Sequence, residues 1–391
     1  MVSYEELMKR CIELAKQGIG NASPNPLVGA VVLDKDDNII SEGFHKKYGE
    51  NHAERDALLK LNNGEEKGGT IVVNLEPCSH FGKTPPCADL IIERGLKKVV
   101  VGCVDSNSKV GGKGIQKLLD AGIEVVVGVL ENECRELNEV FFKNVEDKKV
   151  FVALKTATTI DGKISTSTGD SKWITSQKSR EFGRELRTYY DAILTSSTTV
   201  LADNPTMKHK KKIVLDRELK TDFNAQIYQE GQIFLVVDEN LSVENYPDNF
   251  EIIRCKTVDD KFDLSELMQK LFDMGIKSVF VETGGKLCGE FIKRDLVDKF
   301  YHFVAPKILN DNTGRSCFDN DTVLKISDSK SFRLVETKIF DNDILAVYRT
   351  VTKWFSSGKL KVENGKLVRR LVFYTNAPFL LASIINYCNK K

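Results

Sequence analysis

His52, Cys78 and Cys87 lie far apart in the chain, yet their side chains are a set that can bind one metal ion. A fold that uses them must bring the chain back twice to the same point. One imidazole and two thiolates hold a tetrahedral Zn²⁺ with the fourth position open, and an open position separates a catalytic zinc from a structural one. Glu54 follows His52 by two residues, close to the metal but free to handle protons. The metal itself supplies the deprotonation that thiolates need at neutral pH. A closed structural site would need a fourth protein ligand, which His80 could supply, but would have no use for Glu54. The catalytic reading is therefore preferred.

At 391 residues the chain is too long for one ordinary core, and two domains plus a tail are expected. Charged residues make up 29% and hydrophobic residues 41%, as in ordinary globular proteins. A net charge of +1 gives no electrostatic case for nucleic acid. Nine cysteines, an odd number with two claimed by the metal spacing, do not read as a disulfide framework. A reducing, cytoplasmic setting fits. The start, MVSYEELMKRC, lacks the apolar run and cleavage signature of a signal peptide.

Ser3 and Glu6 form a capping box ahead of Leu7, Cys11, Leu14 and Ala15 at helical spacing. Residues 27–33 read as a buried strand, 34–38 as a turn and 39–44 as the hairpin partner. Residues 52–61 read as a helix with His52 and Glu54 in its first turn, and the strand 70–75 delivers Cys78. Pro85-Pro86 suits a helix start at Cys87, and residues 98–102 and 123–127 are further strands. Helices alternating with strands predict a three-layer α/β sandwich over residues 1–147.

A second α/β domain is expected over 148–350, with a strand, an Asp161-Gly162 turn and a second strand over 150–166, strands at 191–195, 212–216, 232–237 and 278–281, and helices at 179–189 and 264–274. No GxGxxG follows a strand, so a Rossmann domain has no support. Gly284-Gly285 before a helix offers N–H groups to an anion, and the run Thr195 to Thr199 adds hydroxyls; either could equally be a packing feature.

The His-Ala-Glu and Pro-Cys stretches resemble the zinc deaminases, in which a metal-activated water attacks an amino-bearing ring carbon. The long interval PCSHFGKTPPC and the stretch NASPNPLVGAVV (Asn21 to Val32) narrow the resemblance to the bifunctional deaminase/reductase family of riboflavin biosynthesis. This implies a cytidine-deaminase-like α/β/α domain with catalytic Glu54 and zinc on His52, Cys78 and Cys87. It also implies that Asn25, His45, His80 and Lys83 surround a phosphoribosylaminopyrimidine substrate. A surface role for Lys83 and a hairpin-capping role for His45 remain alternatives, and Gly29 reads as a close-packing glycine.

The order Lys155, Asp161-Gly162-Lys163, SKWIT, LRTYYDAILTSSTTVLADNP and VETGGKLCGEF is similar to the reductase half of the same family. The resemblance implies a dihydrofolate-reductase-like fold that uses NADPH. By position, Ala157, Trp173, Thr199, Asp203, Gly284, Gly285 and Lys286 line the NADPH site; Trp173 could instead be a core aromatic. Lys155, Ser171, Arg187, Met207, Lys210 and Glu282 face the substrate. Arg187 is the expected phosphate ligand through a bidentate fork, and Lys155 and Asp203 are the candidate general acids. The chain departs from the family at Met207 to Lys210, where Leu-Thr-x-Arg is usual, and at Glu282-Thr283-Gly284, where Glu-Gly-Gly is. Lys210 keeps the charge but loses the fork.

Residues 351–391 fall outside the resemblance. A basic stretch precedes an apolar one that contains Pro378, so a membrane role is not expected. An element packed on the reductase or at an oligomer interface, or a poorly ordered extension, is preferred. A homo-oligomer is expected. The competing readings are a nucleoside or tRNA-base deaminase with an unrelated second domain, and a nucleic-acid-binding protein with a structural zinc.

Overall fold

The structure is a computed structural model that describes residues 2–106, 111–319 and 325–350, and the backbone of 359–363 and 366–370. It divides into two compact units. Met1–Gly18 and Leu27–Asn138 belong to one, and Ile19–Pro26 and Glu139–Val351 to the other. The sequence reading had placed the boundary at 147/148.

The first unit opens with α1 (Tyr4–Lys16), and its capping box forms: the Glu6 N–H donates to Ser3 Oγ and the Ser3 N–H donates to the Glu6 carboxylate. The buried face of α1 is Leu7, Met8, Cys11, Leu14 and Ala15. It lies on β1 (Gly29–Leu33), where a Cβ on Gly29 would stand 2.1 Å from the Cys11 carbonyl oxygen. Only glycine permits that approach. There follow β2 (Ile39–Phe44), α2 (Ala53–Leu58), β3 (Thr70–Leu75), α3 (Cys87–Glu93), β4 (Lys98–Cys103), α4 (Lys113–Asp120), β5 (Glu124–Val127) and α5 (Glu131–Leu137). The sheet order is β2-β1-β3-β4-β5, with β3, β4 and β5 parallel. Strands β1 and β3 are buried at every residue, as helices on both faces require.

The second unit comprises α6 (Glu139–Asp147), β6 (Phe151–Thr159), β7 (Lys163–Ser165), α7 (Gln177–Arg187), β8 (Ala192–Ser196), α8 (Ser197–Asp203), β9 (Lys211–Leu215), β10 (Gln232–Asp238), β11 (Phe250–Cys255), β12 (Thr257–Val258), β13 (Lys261–Phe262), α9 (Leu264–Asp273), β14 (Ser278–Glu282), α10 (Gly285–Lys293), β15 (Lys299–Ala305), β16 (Arg315–Ser316), β17 (Phe332–Phe340) and β18 (Asp343–Thr350). Nine strands form one sheet in the order β11-β10-β9-β8-β14-β6-β15-β18-β17. Neighbouring strands are parallel except at β15–β18 and β18–β17, so β18 alone runs against the rest. Strand β14, late in sequence, fills the slot between β6 and β8, which leaves a crevice at the carboxyl ends of these strands. Strand β7 pairs with β16 rather than with β6. Helix α6 is tied to the sheet by an ion pair between Lys143 and Asp298, whose carboxylate also accepts the Val152 N–H at 2.8 Å.

Strands β19 (Lys359–Glu363) and β20 (Lys366–Arg370) pair antiparallel. This hairpin lies with β5 and α4 of the first unit, and so not on the reductase, which was one of the placements expected from sequence. The apolar residues 371–388 lie outside the described residues. Among the described residues no helix is long and apolar enough to cross a membrane.

Candidate active sites

His52 is the N-cap of α2, Cys78 follows the end of β3, and Cys87 is the first residue of α3. Their donor atoms lie within 4.8 Å of one another. His52 Nδ1 is 3.5 Å from each sulfur, and the Cys87 N–H donates to Cys78 Sγ at 3.3 Å. An amide donor at a helix start stabilises a thiolate. The hydrogen bond between the two cysteine side chains is the main cause that pulls the Cys78 thiol down to about 4, and it pushes the Cys87 thiol well above the usual range. The two thus share one proton in the absence of a metal, and a metal would displace it. Glu54 is 3% exposed beside them, and burial pushes its carboxyl up to about 7.

The side chains around this set are laid out unevenly. His45 is buried, with Nδ1 3.0 Å from the Asn51 carbonyl oxygen and its ring edge-on to His52 at 5.4 Å. Burial lowers its basicity, so the ring is neutral at physiological pH. His80 and Lys83 are exposed on the loop between the two cysteines. Asn25 is half-buried in the segment 19–26, which groups with the second unit. Glu76, which the sequence reading missed, is buried just before Pro77-Cys78. Its carboxylate accepts N–H bonds from Asp105, Gly112, Gly114 and Ile115 at 2.8 to 3.2 Å. It therefore fixes the end of β3 to the start of α4. An acidic residue at a strand end is not by itself a signal that could have revealed this.

In the second unit a cavity of about 1080 Å³ opens at the carboxyl ends of β6, β8, β9 and β14. Lys155, Ala157, Ser171, Arg187, Thr199, Asp203, Met207, Glu282, Gly284, Gly285 and Lys286 all line it. Trp173 and Lys210 do not. Trp173 is 62% exposed, with the Arg180 guanidinium 4.4 Å over its ring, so it is neither a core aromatic nor part of this wall. Lys210 is exposed at the start of β9, and its carbonyl accepts the Gln232 N–H. At the cavity wall Arg187 Nε donates to Glu282 Oε2 at 2.7 Å, and Lys155 Nζ lies 3.5 Å from Glu282 Oε1. Burial pushes the Glu282 carboxyl up, but the charges of Arg187 and Lys155 outweigh it and hold the group below its ordinary range.

Two helix starts face the cavity. Ser197, Thr198 and Thr199 form the first turn of α8, and Gly284 and Gly285 begin α10. Their exposed N–H groups and hydroxyls suit phosphate oxygens. The Thr283 hydroxyl lies 3.0 Å from that of Ser196, so the residue that departs from Glu-Gly-Gly links the two turns.

Residues 1–103 match the profile of the cytidine and deoxycytidylate deaminase zinc-binding region, and residues 150–346 match the RibD C-terminal domain. The chain is 38% identical over 360 residues to the riboflavin biosynthesis protein RibD of Actinobacillus pleuropneumoniae, covering 89% of this chain and 95% of that relative. The chain belongs to the RibD family. It is 41% identical over 317 residues to the Aquifex aeolicus RibD, covering 78% of this chain and 87% of that one. Among solved structures it resembles Acinetobacter baumannii RibD, with 32% identity, 89% and 99% of the two chains covered, and a TM-score of 0.80. It also resembles the diaminohydroxyphosphoribosylaminopyrimidine deaminase/5-amino-6-(5-phosphoribosylamino)uracil reductase of Thermotoga maritima, with 39% identity, 89% and 98% covered, and a TM-score of 0.78.

As a RibD-family chain it is a bifunctional deaminase and reductase of riboflavin biosynthesis, with a cytidine-deaminase-like domain and a dihydrofolate-reductase-like domain. Zn²⁺ and NADPH are its cofactors. The residues fit both. The three soft and borderline donors converge as a catalytic zinc requires, and the cavity offers a dinucleotide two helix starts for its phosphates.

Proposed function

We propose that the first unit removes the 2-amino group of 2,5-diamino-6-(5-phosphoribosylamino)pyrimidin-4-one, and that the second reduces the ribosyl group of the product to ribityl. The observation that carries the first half is the convergence of His52, Cys78 and Cys87 beside a buried Glu54 that no ligand role requires. When bound, Zn²⁺ acidifies a water so that it attacks at neutral pH. Glu54 takes the proton on its carboxylate and passes it to the ring and then to the leaving amine. Its burial keeps proton affinity near neutrality, where general acid–base exchange is most efficient. Neutral His45 braces the His52 ring and, with Asn25, His80 and Lys83, is assigned to the substrate.

In the second unit NADPH supplies the hydride. We assign Ala157, Thr199, Asp203 and the turn Gly284 to Lys286 to the cofactor, and Lys155, Ser171, Arg187, Met207 and Glu282 to the substrate. Lys155 is the better general acid of the two candidates. It is three-quarters buried against Glu282, whereas Asp203 is exposed and already meets Lys172 at 3.6 Å. Its Nζ hands a proton to the opened sugar while Glu282 keeps it oriented. Arg187 reaches Glu282 through Nε, so its terminal nitrogens serve the substrate phosphate.

The eight described cysteines are free, which suits a cytoplasmic setting. Leu334 and Ile339 on the edge strand β17, with Ile344 beside them, expose apolar surface that a second copy would cover, which supports a homo-oligomer. A nucleoside or tRNA-base deaminase would leave the cavity of the second unit without a task. Product analysis tests the assignment. With the diaminopyrimidine substrate and no NADPH, the purified chain should release ammonia and stop at the ribosyl uracil. With NADPH it should proceed to the ribityl compound. Unchanged substrate under both conditions would refute it.

A further inference from the structure

Two loops of the first unit are each fixed at both ends by groups of the zinc site. The loop 45–52 begins at His45, whose ring stands edge-on to His52, and ends at His52 itself. The loop 78–87 has a ligand residue at each end, joined by the Cys87 N–H to Cys78 Sγ. The two loops touch at one cationic contact, where Lys83 Nζ lies 4.1 Å from the centroid of the Tyr48 ring. The adjoining Gly49, at φ +88°, brings its backbone close to the lysine stem, where a Cβ would stand 3.5 Å from Cδ and 3.7 Å from Nζ. Tyr48 is 44% exposed and Lys83 is exposed. Among the described residues no carboxylate pairs with Lys83, whereas the nearby Lys46 is engaged by Asp56 at 3.1 Å.

We propose that Tyr48 is a positioning residue for the deaminase substrate. Its ring holds the Lys83 ammonium extended at the mouth of the zinc site, so that the substrate phosphate meets a charge already in place. The inference rests on the assignment of Lys83 to that phosphate. A lysine on a flexible stem loses most of its rotamer freedom when it grips an anion, and a group that holds it beforehand reduces that cost. The negative face of an aromatic ring does so without neutralising the charge, which a carboxylate would. The hold is geometric as well as electrostatic, because the loop that carries Tyr48 ends at His52, one of the three residues that would hold the metal, and begins at His45, whose ring stands edge-on to that of His52.

The zinc-loaded full chain tests this with two substrates, the diaminopyrimidine and the same compound lacking its phosphate, and with ribose 5-phosphate as a competitive inhibitor. Lys83→Ala should raise KM for the phosphorylated substrate about tenfold or more and leave the other unaffected. Tyr48→Ala should raise the same KM and the ribose 5-phosphate inhibition constant about two- to five-fold, with kcat and zinc content unchanged. Tyr48→Phe, which keeps the ring face, should restore both constants. In the Lys83→Ala background Tyr48→Ala should add nothing. An equal effect of Tyr48→Ala with Lys83 absent, or on the substrate without phosphate, would overturn the positioning role alone. So would a fall in kcat or zinc content. Indifference of Lys83→Ala to the phosphate would instead overturn the assignment of Lys83, and the inference with it. Failure of the unaltered chain to deaminate either compound would overturn the function proposed for the unit.

Discussion

Arg187 and Glu282 come from different elements, helix α7 and strand β14, and meet through a 2.7 Å hydrogen bond at the wall of the reductase cavity. Lys155 completes the group on the other carboxylate oxygen. The sequence reading gave Arg187 wholly to the substrate phosphate, but the structure shows that its first partner is a buried glutamate. Glu282→Gln should leave two cations facing a neutral amide. The expected result is a loss of about ten- to a hundred-fold in kcat/KM for NADPH-dependent reduction, with deamination unchanged. NADPH consumption and ammonia release, measured on the same preparation, check it.

The same pair makes a pH prediction for stability. The folded Glu282 carboxyl titrates below its ordinary value of 4.5, so the unfolded chain binds that proton more readily. Its stabilisation is therefore complete above that value and is lost only as pH falls through the folded one. Thermal unfolding of the unaltered chain should show no pH dependence from this pair between neutrality and pH 5 or so, where its stabilisation is fully present. An acid limb below that should shrink in Glu282→Gln. A limb of equal size in the variant would assign it to other carboxylates.

The convergence of His52, Cys78 and Cys87 beside Glu54 was legible in sequence because its signals are local: a His-x-Glu at a helix start and a cysteine at a strand end. Continuous apolar runs were legible for the same reason, and β3 falls at residues 70–75, where the sequence placed a strand. What was not legible depends on neighbours distant in the chain. Strand β7 pairs with β16, about 150 residues on, because β6 is already flanked by β14 and β15. Trp173 and Lys210 carry apt chemistry but do not line the cavity, and no local pattern reports which loop residues will. Helix α6 looks like the end of the first domain, yet its Lys143 is bound to Asp298 in the second unit.

Glu54→Gln should abolish deamination, a loss of about a hundred- to ten-thousand-fold in kcat, while zinc stays at one per chain. Glutamine fills the same volume but cannot shuttle a proton. The variant should still reduce supplied deaminated intermediate, because the reductase cavity is lined wholly by residues of the other unit. Chelation of zinc from the unaltered chain should have the same selectivity. Loss of metal from Glu54→Gln in elemental analysis would make Glu54 a ligand and refute its assigned role.

Cys87→Ser should lower zinc content and loosen the loop 78–87, since it removes both a ligand and the proton-sharing contact with Cys78. Full zinc stoichiometry in this variant would mean a different third ligand, with His80 on the same loop the first to test.

Glu76→Gln probes the support behind Cys78. One carboxylate accepts four backbone N–H bonds there, and an amide offers a single oxygen and a donor group that faces other donors. The substitution should cost about 2 kcal/mol of stability and weaken zinc about ten- to a hundred-fold, because outer contacts set the geometry of metal ligands. A competition titration against a chelator of known affinity measures the second effect. Unchanged zinc affinity with lowered stability would confine Glu76 to the fold.

Gly285→Ala tests the phosphate end of the reductase cavity. A Cβ at this position would stand 2.1 Å from the Ser316 carbonyl oxygen, in a backbone that cannot move without disturbing the β7–β16 pair. The first turn of α10 must then shift, and its exposed N–H groups with it. Overpacking of this kind costs about 1 to 3 kcal/mol. Gly284 is the control, since a Cβ there meets nothing within 4 Å. Gly285→Ala should lower the unfolding temperature and weaken NADPH about tenfold or more, with zinc content and deamination intact, whereas Gly284→Ala should unfold at the same temperature as the unaltered chain. Tight NADPH binding in Gly285→Ala, followed by titration of cofactor fluorescence, would move the cofactor phosphates away from α10 and onto the hydroxyls of α8.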